Sequence, residues 1–183
     1  MQTQKNGFTL IEMMITIALL AIFVALAGPS FREIIVNNRA QANANLLVTS
    51  LNLARSEALK TNAQITLCKS TDGVACATAG TWDGGWIVFA DLDADEVVDV
   101  GELVVQVQQN LGSGYTLAGN AATNWMAYRA DGSTLNNGGG LGTNTFFLCP
   151  SDVDDIEYAR QIVLSATGRA RVEKGATAAE CGL

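Results

Sequence analysis

From Phe8 to Gly28 the chain runs for 21 residues with a single charged side chain, Glu12. As a helix that stretch measures about 30 Å, the thickness of a bilayer's hydrocarbon core, so it is long enough to span one. The residues before it, Met1 to Gly7, are polar and carry one cation, Lys5. An ordinary secretory signal is cut after its apolar stretch, behind small residues; here a processing site has to fall before it. Lys5 is expected to stay on the cytoplasmic side and the C-terminal bulk to lie outside. A carboxylate within an apolar span costs some ~2.5–3.5 kcal/mol on insertion scales and marks a function, so Glu12 needs a cationic partner.

The rest of the 183 residues suit one further domain. A hydrophobic fraction of 49% against 16% charged residues excludes a disordered chain. The formal charge of −7 argues against coating nucleic acid through the overall field. Cys68, Cys76, Cys149 and Cys181 all follow the apolar segment, where an oxidising compartment allows two disulfides. Of three pairings the favoured one is Cys68–Cys76, closing a short loop, with Cys149–Cys181, pinning the C-terminus to a strand. The chain has no histidine and no C-x-x-C, so zinc and thioredoxin-like readings lack their ligands and motif. No nucleophile, base and orienter constellation points to an enzyme, and no cofactor is expected.

After Pro29 the segment to Thr61 turns amphipathic, with Leu47, Leu51, Ala54 and Ala58 spaced for one helical face. From Ala63 the runs shorten to strand length: Ile65 to Lys69, Trp86 to Ala90, Leu103 to Val107, Trp125 to Arg129, Thr145 to Cys149 and Gln161 to Ser165. Asn136 to Asn144 reads as a mobile loop. Trp82, Trp86 and Trp125 stand beside apolar strand residues and are assigned to the core. The fold class is α+β, a long N-terminal helix packed on an antiparallel two-sheet domain. Its divisions are a leader 1–7, a transmembrane helix 8–28, its amphipathic continuation 29–61 and a β-rich head 62–183.

The acidic run Asp91 to Glu102 has two readings. Asp91, Asp93, Asp95, Asp99 and Glu102 stand at positions 1, 3, 5, 9 and 12 of a calcium loop, with the Val97 carbonyl at position 7. Position 6 is Glu96 instead of the glycine that permits the sharp turn, and the flanks are strands, so this is no helix-flanked EF-hand. The alternative is a solvated acidic hairpin.

The sequence Gly7-Phe8-Thr9-Leu10-Ile11-Glu12 resembles the prepilin signature of type IV pilins and type II secretion pseudopilins. The resemblance implies that a prepilin peptidase cuts after Gly7 and methylates Phe8. It also implies that Glu12 pairs with the N-terminal amine of a neighbouring subunit. Leu53-Ala54-Arg55-Ser56-Glu57-Ala58, the Trp82 to Phe89 segment, the acidic run and Gly168-Arg169-Ala170-Arg171 extend it to the GspH/FimT group of minor pilins and pseudopilins, over essentially the whole chain. Within a terminal hairpin Arg169 and Arg171 project from one strand face. The Gly-Arg-x-Arg pattern is similar to the one through which FimT-type minor pilins bind DNA, which carries Arg169 and Arg171 over as candidate contacts, with Lys174 nearby. Against this, loss of the leader with Lys5 takes the charge from −7 to −8, and four acids between Asp152 and Glu157 lie close in sequence to the arginines.

The function so implied is a minor pilin that primes or caps a type IV pilus and contacts DNA during transformation. The alternatives are a type II secretion pseudopilin and a membrane-anchored DNA receptor. The implied partners are other pilins or pseudopilins in a helical filament, the peptidase, an inner-membrane assembly platform and double-stranded DNA. The implied location is the inner membrane, crossed once with the N-terminus cytoplasmic and the head periplasmic, and then the tip or base of a filament at the cell surface.

Overall fold

The computed structural model describes residues 7–120, 123–135 and 140–182, without the side chains of residues 26–30 and 153. Helix α1 runs unbroken from Leu10 to Thr61 and ends where Asn62 turns left-handed at φ 53°, a conformation asparagine tolerates. The chain divides into two units, residues 1–38 and 39–183.

In the first unit the apolar side chains of the helix are exposed all round, among them Leu10, Ile11, Met14, Leu20 and Phe23. A helix that is hydrophobic on every side is stable only where something apolar covers it. Among the described residues no helix is long and apolar enough to cross a membrane. The expected spanning segment, 8–28, lies partly outside the described side chains, since those of residues 26–30 are not included.

In the second unit the same helix buries Ala40, Ala44, Leu47, Leu51, Ala54 and Ala58 completely. The spacing alternates between four and three residues, which keeps these side chains on one stripe, and the alanines let strands approach closely. Among the described residues nine strands follow: β1 (Gln64–Lys69), β2 (Trp86–Asp91), β3 (Val104–Gln108), β4 (Tyr115–Gly119), β5 (Trp125–Tyr128), β6 (Thr134–Leu135), β7 (Asn144–Pro150), β8 (Arg160–Leu164) and β9 (Ala170–Lys174). They form two antiparallel sheets, ordered β3-β2-β1-β5-β6 and β4-β7-β8-β9. The larger of two buried clusters joins them to the helix stripe: Leu67, Trp86 and Val88 come from the first sheet, Leu117, Phe146 and Ile162 from the second. The α+β architecture is therefore the expected one.

Strands β4 and β6 are additions to the reading of the sequence. Tyr115-Thr-Leu-Ala-Gly does alternate, with Tyr115 and Leu117 buried and Thr116 exposed, but it is short and bounded by Gly114 and Asn120. β6 has only two residues, too few for any period to register. Of the Asn136–Asn144 stretch, residues 136–139 lie outside the described residues, and Asn144 opens β7. Trp82 and Trp86 are buried, whereas Trp125 is half-buried against Cys68, Ile87 and Phe89. Disulfides join Cys68 to Cys76 and Cys149 of β7 to Cys181 of a short terminal helix, α2 (Ala178–Cys181).

Candidate functional site

Three groups of residues carry the chemistry that the sequence singled out. At the start of α1 the Thr9 hydroxyl accepts from the Glu12 N–H at 3.3 Å, while the Thr9 N–H and hydroxyl both donate to Glu12 Oε2 at 3.1 Å. This is a capping box, which satisfies two amides that a helix start leaves unpaired. The Thr-x-x-Glu pattern is legible in the sequence but is hidden there by the apolar run it opens. Glu12 Oε1 has no partner among the described residues, so half of the carboxylate stays open to a cation from elsewhere. Gly7 and Phe8 precede the helix and are exposed.

The second group is the β8–β9 hairpin. Its turn is closed by Ser165, whose N–H donates to the Arg169 carbonyl at 3.0 Å and whose hydroxyl accepts from the Arg169 N–H at 3.1 Å. Gly168 sits in the turn at φ 79°, where a Cβ would stand 2.0 Å from the Gly132 carbonyl oxygen and 3.0 Å from Arg55 Nε. Arg55 reaches from α1 to donate Nη2 to the Thr167 carbonyl at 3.0 Å, and the Thr134 N–H donates to the Ala166 carbonyl at 3.1 Å. Tyr128, whose phenol burial pushes well above its ordinary value, adds a long bond of 3.4 Å to the Gly168 carbonyl. Thus Arg55 and Gly168, far apart in the chain, act together to pin one turn.

Beyond that turn the pleat sorts the side chains. Arg169, Arg171 and Glu173 are exposed, while Ala170 and Val172 pack on the core. Arg169 and Arg171 line a hollow of ≈ 280 Å³ with Ser165 and Ala170. Arg171 pairs with Glu173, both partners well exposed, a contact worth little in water. Among the described residues the Arg169 guanidinium has no ion-pair partner. Lys174 is exposed at the strand end, but alternation puts it on the face of Ala170 and Val172, away from the two arginines. The acids from Asp152 to Glu157 form a 3-10 turn instead of meeting Arg169 or Arg171: Asp152 caps it by accepting from the Asp154 N–H at 3.1 Å, and Asp155 is buried, close enough to Tyr115 for its charge to raise that phenol further above its ordinary value than burial alone.

The third group is the β2–β3 connection. Asp91, Asp93 and Asp95 bring their carboxylates within 4.8 Å of one another, and Asp99 and Glu102 stand outside that cluster. Asp91 is buried and accepts from Thr66 Oγ1 at 2.6 Å and Gln64 Nε2 at 2.9 Å. Glu102 accepts from the Leu92 N–H at 2.7 Å and the Asp99 N–H at 3.1 Å, and Asp95 accepts from the Val97 N–H at 2.8 Å. The loop thus closes on its own carboxylates. Calcium takes roughly six to eight oxygens, and the cluster offers three side chains toward them. Glu96, at the position where a calcium loop has glycine, is left-handed at φ 64°, as is Ala94 at φ 61°. Burial raises the Glu96 carboxyl above its ordinary range, and the charges of Asp91 and Asp95 add to this.

Comparison with known proteins adds the following. Residues 43–168 match the family described as type II transport protein GspH, and residues 3–28 match a prokaryotic N-terminal methylation motif. The type IV minor pilin FimU of Pseudomonas aeruginosa superposes with a TM-score of 0.58 at 20% identity, over 74% of this chain and 89% of that one. A second crystal form of FimU gives 0.55 at 21% identity, over 73% and 91%. The minor pseudopilin EpsH from the type 2 secretion system of Vibrio cholerae gives 0.49 at 12% identity, over 74% and 97%. At such identities the FimU likeness speaks for the fold.

Proposed function

The chain belongs to the GspH family, whose members are filament subunits and not enzymes, and on that premise we propose that it is a minor pilin of a type IV pilus. The observation that carries this reading is the first unit: a helix apolar on every side that opens with a carboxylate left half free. Lipid covers such a helix before assembly, with the N-terminus cytoplasmic and the head outside, and the helices of neighbouring subunits cover it afterwards. A prepilin peptidase cleaves after Gly7 and methylates Phe8. The capping box then holds Glu12 one turn from the new N-terminus, with Oε1 turned free for the amine of the next subunit, which offsets the penalty of a carboxylate in an apolar setting. The capping bonds form equally well in a lone subunit, so it is the open Oε1 that serves association. Glu12→Ala is therefore expected to leave membrane insertion intact and to remove the protein from sheared filaments, read by immunoblot of filament and membrane fractions. Normal filament entry by that variant refutes the role.

The same fractionation addresses a second reading, a pseudopilin of a type II secretion system, which membership of a type II transport protein family favours. A pseudopilin stays with the cell envelope when pili are sheared off.

Within the pilin reading, Arg169 and Arg171 supply the DNA contact. They are exposed on one face, line one hollow, and stand on a turn anchored by Arg55 and Gly168. Two guanidiniums at alternate strand positions suit successive phosphates. The full chain in detergent is expected to retard duplex DNA at low salt, and the double variant Arg169→Ala, Arg171→Ala to abolish retardation. Lys174→Ala, on the other face, is expected to change it little. An unchanged shift in the double variant sinks the DNA role.

A further inference from the structure

Lys69 ends β1 opposite Trp86 and is buried, only 6% exposed. Its Nζ donates to the Gly80 carbonyl at 2.7 Å, and among the described residues no carboxylate pairs with it. An ammonium has three donors, so two remain. A charge held out of water without a counter-ion is costly and is usually found paired. Burial accordingly lowers the Lys69 pKa from its ordinary value. The side chain opens into a cavity of ≈ 300 Å³.

The other walls of that cavity are mostly apolar and carry a few polar groups. Trp82 lines it with its ring, the indole N–H being taken by the Thr123 carbonyl at 2.9 Å. The Thr123 hydroxyl is taken by the Asn120 carbonyl at 2.6 Å. The hydroxyls of Thr78 and Thr81 and the Asn124 amide, which also line the cavity, have no partner among the described residues. The frame around them is built: the Lys69 N–H donates to the Asn124 carbonyl at 3.1 Å, the Ala77 N–H donates to the Lys69 carbonyl at 2.7 Å, and the Cys68–Cys76 disulfide closes the loop between. The cavity therefore gathers one cation and several neutral hydrogen-bonding groups, and among the described residues no acid lines it.

We propose that this cavity is a carboxylate-binding site, with Lys69 Nζ as the charged donor and Thr78, Thr81 and Asn124 as neutral ones. A single ammonium matches a monoanion, and there is no guanidinium fork to favour a phosphate dianion. The carboxylate comes either from a small free acid or from an acidic side chain of a neighbouring subunit. Only the second source rests on the filament reading.

Two measurements separate these sources. In the first, the purified full chain in detergent micelles is melted in sodium acetate and in sodium chloride of equal ionic strength. Acetate is expected to raise the midpoint by about 2 °C. The shift is expected to vanish in Lys69→Met and to shrink in the rim variant Asn124→Leu, which leaves the buried lysine in place should the first variant fail to fold. In the second, cells are treated with a water-soluble carbodiimide and Lys69 is sought by mass spectrometry in an amide with a partner's acid. An acetate shift assigns the site to free acids, and a cross-link without the shift assigns it to a subunit contact. The acetate shift stands even if the protein never enters a filament. Neither a shift nor a cross-link, or an acetate shift that persists in both variants, overturns the proposal.

Discussion

Gly168 and Arg55 set the position of the arginine face, although neither belongs to it. With φ 79° and the Gly132 carbonyl oxygen 2.0 Å from where a Cβ would be, position 168 has no room for any other residue. Gly175 is the natural comparison, also left-handed at φ 91° but with nothing within 4 Å of a built Cβ. Gly175→Ala meets only the backbone preference, about 1 kcal/mol. Gly168→Ala meets that and a displaced backbone, together about 3 kcal/mol. Urea unfolding of the two variants checks the difference, and equal midpoints contradict the packing account. The sequence shows Gly168 beside two arginines and invites a ligand-binding explanation for all three. The structure divides them: the glycine is there for the turn, and Arg55, whose partner lies 112 residues away, supports it.

At the scale of the element, the β2–β3 connection holds a residue against its preference. Glu96 adopts φ 64° beside two other carboxylates, a conformation that suits glycine. Its pKa is raised, so the folded chain holds that proton more tightly than the unfolded chain does. The penalty is therefore full above the raised value and fades as pH falls through it toward the ordinary 4.5. Glu96→Gly is expected to stabilise the protein by about 1 kcal/mol at pH 7. The gain is expected to be smaller at pH 4, where the lost repulsion no longer counts. Thermal melts at both pH values test this, and a variant less stable than the parent at pH 7 contradicts it. Helix α1 is the opposite case, since its buried stripe follows the apolar spacing residue for residue.

For the whole molecule the acidic balance limits what the arginine face can do. A chain of formal charge −7 repels DNA at long range, so binding rests on local contacts. With two phosphate contacts the affinity is expected to fall by about tenfold between 50 and 200 mM salt. A salt titration of DNA retardation measures the slope. A fall of several powers of ten would mean that many more cations take part and would move the interface away from Arg169 and Arg171.

Much of the architecture was determined by sequence alone, because it depends on local pattern. A run of 21 residues with a single charge, a stripe spaced for one helical face and short strands between glycines and asparagines each report a local pattern that does not need the rest of the chain. The short Cys68–Cys76 separation likewise favours the bond that forms. What only the tertiary structure decided depends on contacts across the chain. The clasp of Arg55 on Thr167, the bond of buried Lys69 to the Gly80 carbonyl, and the turning of Asp152 to Glu157 away from the arginines all involve groups whose spacing in sequence says nothing of their distance in space. Burial and pairing are properties of the packed sheets and helix, and they acquire values only when the core of Leu51, Trp86 and Phe146 closes around them.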